Sequence, residues 1–315
     1  MGVSLKNWTK ELYLESKTLT LGNIYIPGSH DSGAYKELIY HQNWARTQDL
    51  SIYDQLCTGI RYLDLRLALV SGEYYVAHTY LYIPFAVALD DINRFIGETD
   101  EFVILSITED NANKTGLSSA DFFGGVIGYL SGTTTKYMTT TNGASTLEEI
   151  YKQPIRILIP EKGLYNIWPN TMSESELLVS FMKSVTGTGR YGSELIPIFD
   201  YVYTINALYI ASCYLYLVLP IGVISFIVSY YVNRKYYREM NQGLYITAAV
   251  IATLVLMFAL SPIIPVISMP YLGGRAKNFI REHINTPDVF PHVVLYDYVT
   301  EDVNRMVIDK NFSKG

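Results

Sequence analysis

The stretch "IRYLDLRLALV", residues 60–70, is a long apolar run interrupted by charged side chains. Asp64 and Arg66 are two residues apart, and residues two apart point to the same face of a β-strand. Tyr62 shares that face. If the face lines the interior of a barrel, a carboxylate and a guanidinium are held side by side out of bulk water.

Similar short runs, rich in β-branched and aromatic residues, recur along the chain at 23–28, 74–78, 102–107, 155–160, 195–202 and 292–299. Helix candidates lie between several of them, including 85–98 and 145–153. This alternation is typical of an α/β fold with a largely parallel sheet, and seven or more strands favour a barrel. We therefore predict a TIM-like (β/α) barrel, distorted or incomplete, with its chemistry at the strand ends.

Composition narrows the class of protein. The chain has 315 residues, of which 49% are hydrophobic, and this is ample for a sizeable core. Its net charge of −6 gives no basic surface, so nucleic acid is not an expected partner. Cys57 and Cys213 are far apart in the sequence and suggest neither a disulfide framework nor a metal pair.

Two apolar stretches without a charged residue lie late in the chain, at 207–232 and about 244–268. Each exceeds the roughly 20 residues needed to cross a bilayer core. Core helices of a soluble protein seldom have such length without a polar face. We predict a two-helix transmembrane hairpin at 204–270, inserted between the two parts of a catalytic barrel, 1–203 and 271–315. The alternative is that 265–269 forms the seventh strand, which leaves a shorter second span.

The chain is therefore expected to be a multi-pass membrane protein with the bilayer as a partner. No signal peptide is visible, so we expect the catalytic domain to be cytosolic. Positive charges favour the cytosolic side of a membrane. Those between the two stretches and those after the second stretch therefore favour opposite orientations of the hairpin. Three glycosylation sequons, at Asn7, Asn113 and Asn311, leave the opposite orientation open.

Further polar residues stand at or near predicted strand ends. His30 and Asp31 follow the first strand in "IPGSHDSGAY", residues 26–35, His78 closes the third, and Asp297 lies in the last. One imidazole can take a proton from an attacking hydroxyl while the other gives one to a leaving oxygen. An arginine supplies fixed charge to a phosphate. Together these groups suit phosphodiester chemistry, although each alone is also typical of a structural residue.

Six segments occur in the order found in a known family: 26–35, 46–67, 74–81, 101–110, 146–159 and 293–299. They resemble the X-domain of phosphatidylinositol-specific phospholipase C. The resemblance covers most of the chain outside the apolar hairpin. The "GSHDSG" motif followed by "GIRYLDLR" and a later histidine is its most specific part.

The resemblance implies roles for five residues. His30 would be the general base that deprotonates the inositol 2-hydroxyl, and Asp297 its carboxylate partner. Arg66 would clamp the phosphate. His78 would be the general acid that protonates the departing diacylglycerol oxygen, supported by Asp31. The implied substrate is phosphatidylinositol or a glycosylphosphatidylinositol lipid, and the products are diacylglycerol and inositol 1,2-cyclic phosphate.

Four other residues are expected to bind substrate. Asp64 lies beside the phosphate clamp. Asp200 is expected to accept hydrogen bonds from inositol hydroxyls, with Tyr201 or Tyr203 stacking on the ring. Lys162 corresponds to a basic position after the fifth strand. The lysine that bacterial-type members carry at the end of the fourth strand is absent here, where the chain reads "SITED".

No cofactor is expected, because an arginine follows the second-strand aspartate where calcium-dependent members of the family carry carboxylates. The alternative is a calcium-dependent phosphoric diester hydrolase of the same family, with Asp31, Asp64 and Glu109 as ligands, since Ca²⁺ takes six or more oxygens. A catalytically inactive, lipid-binding X-domain is the alternative from a different functional class. A glycerophosphodiesterase or sphingomyelinase D-type barrel would need paired glutamates near the first strand, which the sequence lacks.

Overall fold

The computed structural model describes residues 2–36, 40–160, 164–167, 169–187, 196–203, 207–236, 242–284 and 293–312. The strands are β1 Ile26–Ser29, β2 Tyr62–Val70, β3 Glu73–His78, β4 Tyr80–Pro84, β5 Val103–Glu109, β6 Tyr137–Met138, β7 Ile157–Leu158, β8 Leu164–Ile167, β9 Ile196–Tyr201 and β10 Val293–Tyr296. The helices are α1 Trp8–Glu15, α2 Ile52–Cys57, α3 Phe85–Thr99, α4 Ser119–Ser131, α5 Leu147–Lys152, α6 Glu174–Gly187, α7 Ala207–Tyr236, α8 Gln242–Leu260, α9 Ile263–His283 and α10 Glu301–Phe312. Short 3₁₀ helices span Leu21–Asn23, Tyr40–Ala45 and Asn111–Asn113.

Eight of the strands form one parallel path in the order β6-β7-β5-β2-β1-β10-β9-β8. Among the described residues, no pairing joins β6 to β8. The parallel strand order confirms the predicted α/β, TIM-barrel-like fold. The ring of strands is incomplete between β6 and β8 in the described residues. An antiparallel extension, in which β3 pairs with β2 and β4 pairs with β3, was not predicted from the sequence.

The centre of the sheet is closely packed. Gly28 in β1 is in register with Tyr62 in β2 and with Leu295 in β10. A Cβ atom at Gly28 would lie 3.0 Å from Leu295 Cδ1 and 3.2 Å from Tyr62 Cδ1. Glycine is needed at this position because the neighbouring strands approach too closely for a larger side chain.

Two predicted helices are confirmed, and their sequences explain why they form. In α3 the buried residues Phe85, Ala88, Leu89, Ile92 and Phe95 recur at helical spacing on one face. The helix α5 begins with a capping box in which Thr146 and Glu149 each accept a hydrogen bond from the backbone N–H of the other. Both helices pack an apolar stripe against the sheet region.

A buried ion pair lies at the N-terminal end of β2. The side chains of Arg61 and Glu101 are fully buried, with Nη2 2.8 Å from Oε2. Glu101 also accepts hydrogen bonds from the backbone N–H and the hydroxyl of Thr9 in α1, at 3.0 and 2.6 Å. Arg61 donates to the carbonyl oxygens of Leu56 and Ile60 as well. This network ties α1 to the strand end opposite the one that carries the predicted site.

The chain divides into two compact units. The first comprises Met1–Lys36, Ala45–Tyr203 and Leu272–Gly315, and contains the barrel. The second comprises Glu37–Trp44 and Thr204–Tyr271, in which α7 and α8 pack on each other. Its helices expose large apolar side chains, among them Leu208, Tyr216, Leu254 and Phe258.

Within the part of the chain that the structure describes, one helix is long and apolar enough to cross a membrane, at Leu208–Val232 in α7. The apolar section of α8, Ile246–Leu256, is shorter. The prediction of one continuous helix over 244–268 is wrong, because α8 ends at Leu260 and α9 begins at Ile263. The alternative of a strand at 265–269 is wrong as well, because these residues belong to α9. Pro262 stands between them, and proline restricts the residue before it and has no N–H to continue a helix.

Candidate active site

The first pair in the site joins the two ends of the chain. His30 follows β1 and Asp297 follows β10, and these parallel neighbours end in register at Ser29 and Tyr296. The next residue of each strand therefore lies beside the other. His30 Nδ1 is 2.8 Å from Asp297 Oδ1, so a proton on Nδ1 is donated to the carboxylate and Nε2 is left facing the site.

Asp31 lies at the centre of the site. Its Oδ1 is 2.7 Å from Arg66 Nε, and its Oδ2 is 3.3 Å from His30 Nε2 and 3.4 Å from His78 Nε2. The residue has a φ of +43°, in the left-handed region that aspartate tolerates better than most residues. The resemblance implies that Asp31 supports His78 alone, whereas in the structure Asp31 lies close to both histidines.

Arg66 lies on β2 beside Asp64, on the shared face that the alternation predicts. Its Nη2 is 2.9 Å from His30 Nε2 and 3.4 Å from Asp64 Oδ2. Burial alone would lower the pKa of Arg66, but the carboxylates of Asp64, Asp31, Asp200 and Asp110 outweigh it and raise the pKa. The guanidinium is therefore a permanent positive charge in the site.

His78 ends β3, and its ring is fixed from both sides. Nδ1 donates to the carbonyl oxygen of Ala45 at 2.9 Å, so Nε2 faces Asp31. Thr79, the next residue, has a φ of +63°, which is rare for a β-branched residue. Its N–H donates to the buried carboxylate of Asp110 at 3.1 Å. The ring centroids of His78 and His30 are 6.2 Å apart.

Two buried residues that were not predicted hold the backbone of the site. Thr47 donates from its hydroxyl to the carbonyl oxygen of Asp31 at 3.0 Å. Gln48 donates to the carbonyl oxygen of His30 at 2.8 Å and accepts from the N–H of Val299 at 3.1 Å. Both belong to the polar run "RTQD", residues 46–49, whose position at the start of the 46–67 segment was the available signal.

The charges around His30 control its protonation. Burial would lower its pKa, but the negative charges of Asp31 and Asp297 and the hydrogen bond to Asp297 outweigh burial. The neighbouring Arg66 acts in the lowering direction. Together they raise the pKa of His30 to about 10. The imidazolium form is therefore favoured in the free protein at neutral pH.

The candidate substrate-binding residues have different outcomes. Asp200 is buried and in register with Leu295, and therefore on the same face as the interior residues Gly28 and Tyr62. Tyr201 must point the other way, and its ring packs 5.9 Å from that of Phe279 in α9. The prediction that Tyr201 stacks on a substrate ring is wrong, because alternate residues of a strand point to opposite faces. Lys162 lies outside the described residues.

The calcium alternative fits the structure poorly. Ligand atoms of His30, Asp31 and Asp64 lie within 4.8 Å of one another, which is close enough for a metal ion. Arg66, however, already bonds both carboxylates. Glu109, the third proposed ligand, lies one residue beyond Thr108, which is in register with Arg66, and so faces away. Its carboxylate accepts hydrogen bonds from Thr115 instead.

The chain is similar in sequence to proteins that carry a PI-PLC X domain. A PI-PLC X-box domain-containing protein of Dictyostelium discoideum is 30% identical over 116 residues, 32% of this chain and 16% of that protein. PI-PLC X domain-containing protein 1 of Danio rerio is 24% identical over 227 residues, 59% of this chain and 72% of that protein. A 1-phosphatidylinositol phosphodiesterase of Staphylococcus aureus is 32% identical over 113 residues, 34% of this chain and 35% of that protein. No protein-family model matches the chain.

The matched segment thus spans only a minor part of the Dictyostelium and Staphylococcus proteins. In contrast, the fold is similar over nearly the whole chain. A mutant of the phosphatidylinositol-specific phospholipase C from Staphylococcus aureus has a TM-score of 0.63 at 15% identity, with 98% of each chain covered. The enzyme from Listeria monocytogenes has a TM-score of 0.57 at 15% identity. The chain is therefore similar in sequence to proteins with a PI-PLC X domain and similar in fold to phosphatidylinositol-specific phospholipases C.

Proposed function

We propose that this chain is a membrane-anchored phosphatidylinositol phospholipase C, with glycosylphosphatidylinositol as the alternative substrate. One observation carries the proposal: Asp31 contacts both histidines and Arg66. A phosphodiester bound among these four side chains would have His30 as a base on one side and His78 as an acid on the other. The similarity in sequence and fold to phosphatidylinositol phospholipases C supports an enzyme of this kind.

In the first part of the reaction, His30 acts as the general base. In the neutral form of His30, Nδ1 keeps its proton on Asp297, so Nε2 is unprotonated and accepts the proton of the inositol 2-hydroxyl. The 2-oxygen attacks phosphorus. Arg66 donates to the non-bridging oxygens as negative charge increases on them.

In the second part, the bond between phosphorus and the glycerol oxygen breaks. His78 donates the proton of Nε2 to that oxygen, while its Nδ1–H stays bonded to Ala45. Asp31, 3.4 Å from Nε2, orients the ring. The products are diacylglycerol and inositol 1,2-cyclic phosphate, and no metal ion takes part in either step.

Asp64 and Asp200 are proposed to bind the inositol ring. Asp64 shares a strand face with Tyr62, and Asp200 reaches the same face through the register of β9, β10 and β1. Carboxylates on this face can accept hydrogen bonds from sugar hydroxyls. The charge of Asp200 also acts on Arg66, which supports its position near the phosphate group.

The membrane anchor is proposed from α7, with α8 as the second span of a hairpin. The apolar segment Leu208–Val232 is 25 residues long, enough for a bilayer core of about 30 Å. A lipid substrate stays in the bilayer, so an anchor on the same chain increases its effective concentration at the site.

We propose that the barrel is cytosolic. Asn113, in one of the three sequons, donates through Nδ2 to the carbonyl oxygen of Thr79 and to Asp110 Oδ2, at 3.2 and 2.7 Å. Asn311 donates through Nδ2 to the carbonyl oxygen of Tyr25 at 2.8 Å. A glycan attached to either Nδ2 would replace one of its two hydrogens and interfere sterically with these hydrogen bonds. The two sequons therefore do not favour the lumenal side.

The deciding experiment uses the full chain in detergent with phosphatidylinositol, in calcium and in chelator, and follows inositol cyclic phosphate. We expect equal turnover in both solutions, with none in His30→Ala. Turnover only with calcium would replace this mechanism with the calcium-dependent one. Binding to phosphatidylinositol vesicles without turnover would identify a lipid-binding domain instead. A parallel assay on a glycosylphosphatidylinositol-anchored protein separates the two substrates.

A further inference from the structure

Tyr82 in β4 is a buried tyrosine that the reaction described above does not use. It is 7% exposed, and its hydroxyl has no hydrogen-bond partner among the described residues. Leaving a buried hydroxyl unpaired is unfavourable, and native proteins keep few such groups. Its position therefore requires an explanation other than stability.

The strand pairing shows how Tyr82 reaches its position. Val76 in β3 pairs with Ile83, but the next residue, Ala77, pairs with Leu81. Tyr82 is thus the extra residue of a β-bulge and has no partner across the ladder. The bulge also makes two consecutive residues, Tyr82 and Ile83, buried. Bulges redirect side chains and are frequent beside active sites.

The bulge lies on the strand that pairs with the end of β3, where His78 is in register with Tyr80. The negative charge of Asp31 acts on the Tyr82 hydroxyl, as does the positive charge of Arg46. Burial, together with Asp31, raises the pKa of Tyr82 above its usual value. The hydroxyl therefore keeps its proton at physiological pH and is available as a donor.

Asp31 itself has its carboxylate oxygens within reach of Arg66 and the two histidines. The oxygens of a phosphodiester beside His78 would still have free lone pairs, which can accept a hydrogen bond from Tyr82. We propose that the Tyr82 hydroxyl donates a hydrogen bond to a phosphate oxygen of the substrate and so positions the leaving group against His78. This inference depends on the proposed function, because it assigns a further contact within the same site.

The test compares wild-type protein with Tyr82→Phe on water-soluble, short-chain phosphatidylinositol. We expect kcat/KM to decrease about tenfold, the effect of one lost hydrogen bond of about 1.4 kcal/mol. The melting temperature should stay the same or increase, because the variant removes an unpaired buried hydroxyl. Activity within twofold of the wild type would overturn the inference, and so would a decrease in activity that only follows a decrease in melting temperature.

Tyr151→Phe is the matched control. The Tyr151 hydroxyl in α5 lies 2.8 Å from Thr9 Oγ1, beside the buried ion pair and outside the site. This variant should lower the melting temperature and leave kcat/KM unchanged. If the wild type shows no turnover, the proposed function fails. The inference is then decided by calorimetric binding of inositol 1-phosphate, where equal affinity of wild type and Tyr82→Phe overturns it.

Discussion

His30 Nδ1 lies 2.8 Å from Asp297 Oδ1, although 267 residues separate the two in the chain. The contact exists because β1 and β10 are adjacent parallel strands that end in register. The carboxylate fixes the tautomer of the imidazole and favours its charged form. The protonation of His30 therefore depends on this contact.

The first prediction concerns pH. His30 must be neutral to accept a proton, and its pKa is raised to about 10. On an inositol phosphodiester with a nitrophenolate leaving group, which departs without a proton from His78, we therefore expect kcat/KM to increase with pH from 7 towards 10. Asp297→Asn removes a charge that favours the imidazolium, so the pKa of His30 falls and this rise moves to lower pH. The maximal rate should fall as well, because the asparagine does not hold the proton on Nδ1 as firmly.

The measurement is a pH–rate profile with this nitrophenolate substrate. Asp302→Asn is the control, because Asp302 pairs with Arg281 on the surface at 2.6 Å. An Asp297→Asn profile that coincides with that of the wild type would contradict the role of the pair.

The second prediction separates acid from base. His78→Ala should lower kcat/KM on phosphatidylinositol by about 10²–10⁴-fold, the usual contribution of a general acid. On an inositol phosphodiester with a nitrophenolate leaving group the loss should be much smaller, because this group departs without a proton. His30→Ala should lose activity on both substrates. Equal losses for the two variants on both substrates would show that the roles are assigned wrongly.

The third prediction concerns the guanidinium. Arg66→Lys keeps the charge but loses the planar fork that reaches Asp31 and His30. We expect kcat/KM to decrease by about 10²–10³-fold, as when a donor to a developing oxyanion is removed. Steady-state kinetics in detergent micelles check this, with the surface variant Arg94→Lys as the control. A change below threefold would exclude Arg66 as a phosphate ligand.

The fourth prediction concerns stability away from the site. Glu101→Gln leaves the fully buried Arg61 without a counter-charge, and breaking a buried pair typically costs about 3–5 kcal/mol. Chemical denaturation should show this loss in the free energy of unfolding. Glu148→Gln, in the exposed pair with Lys152, should leave the denaturation midpoint unchanged. A stable Glu101→Gln protein would indicate that water or backbone groups satisfy Arg61.

Several features of the site were predictable because they are local. The spacing of Asp64 and Arg66 fixes a shared strand face whatever the sheet around it. The resemblance brought together His30, His78 and Asp297, and the structure places all three in one group. In contrast, Glu109 and Tyr201 each lie one residue away from a position on the interior face. Strand periodicity is two, so an error of one residue in the expected face reverses the direction of the side chain.

The sequence by itself determined the residue types of the site, the alternation of strands and helices, and an apolar segment long enough for a bilayer. Only the tertiary structure decided that Asp31 serves both histidines, that Thr47 and Gln48 hold the backbone beneath them, and that a bulge buries Tyr82. These contacts depend on strand register and on left-handed backbone at Asp31. Register is set by packing across the whole barrel, which no local pattern in the sequence contains.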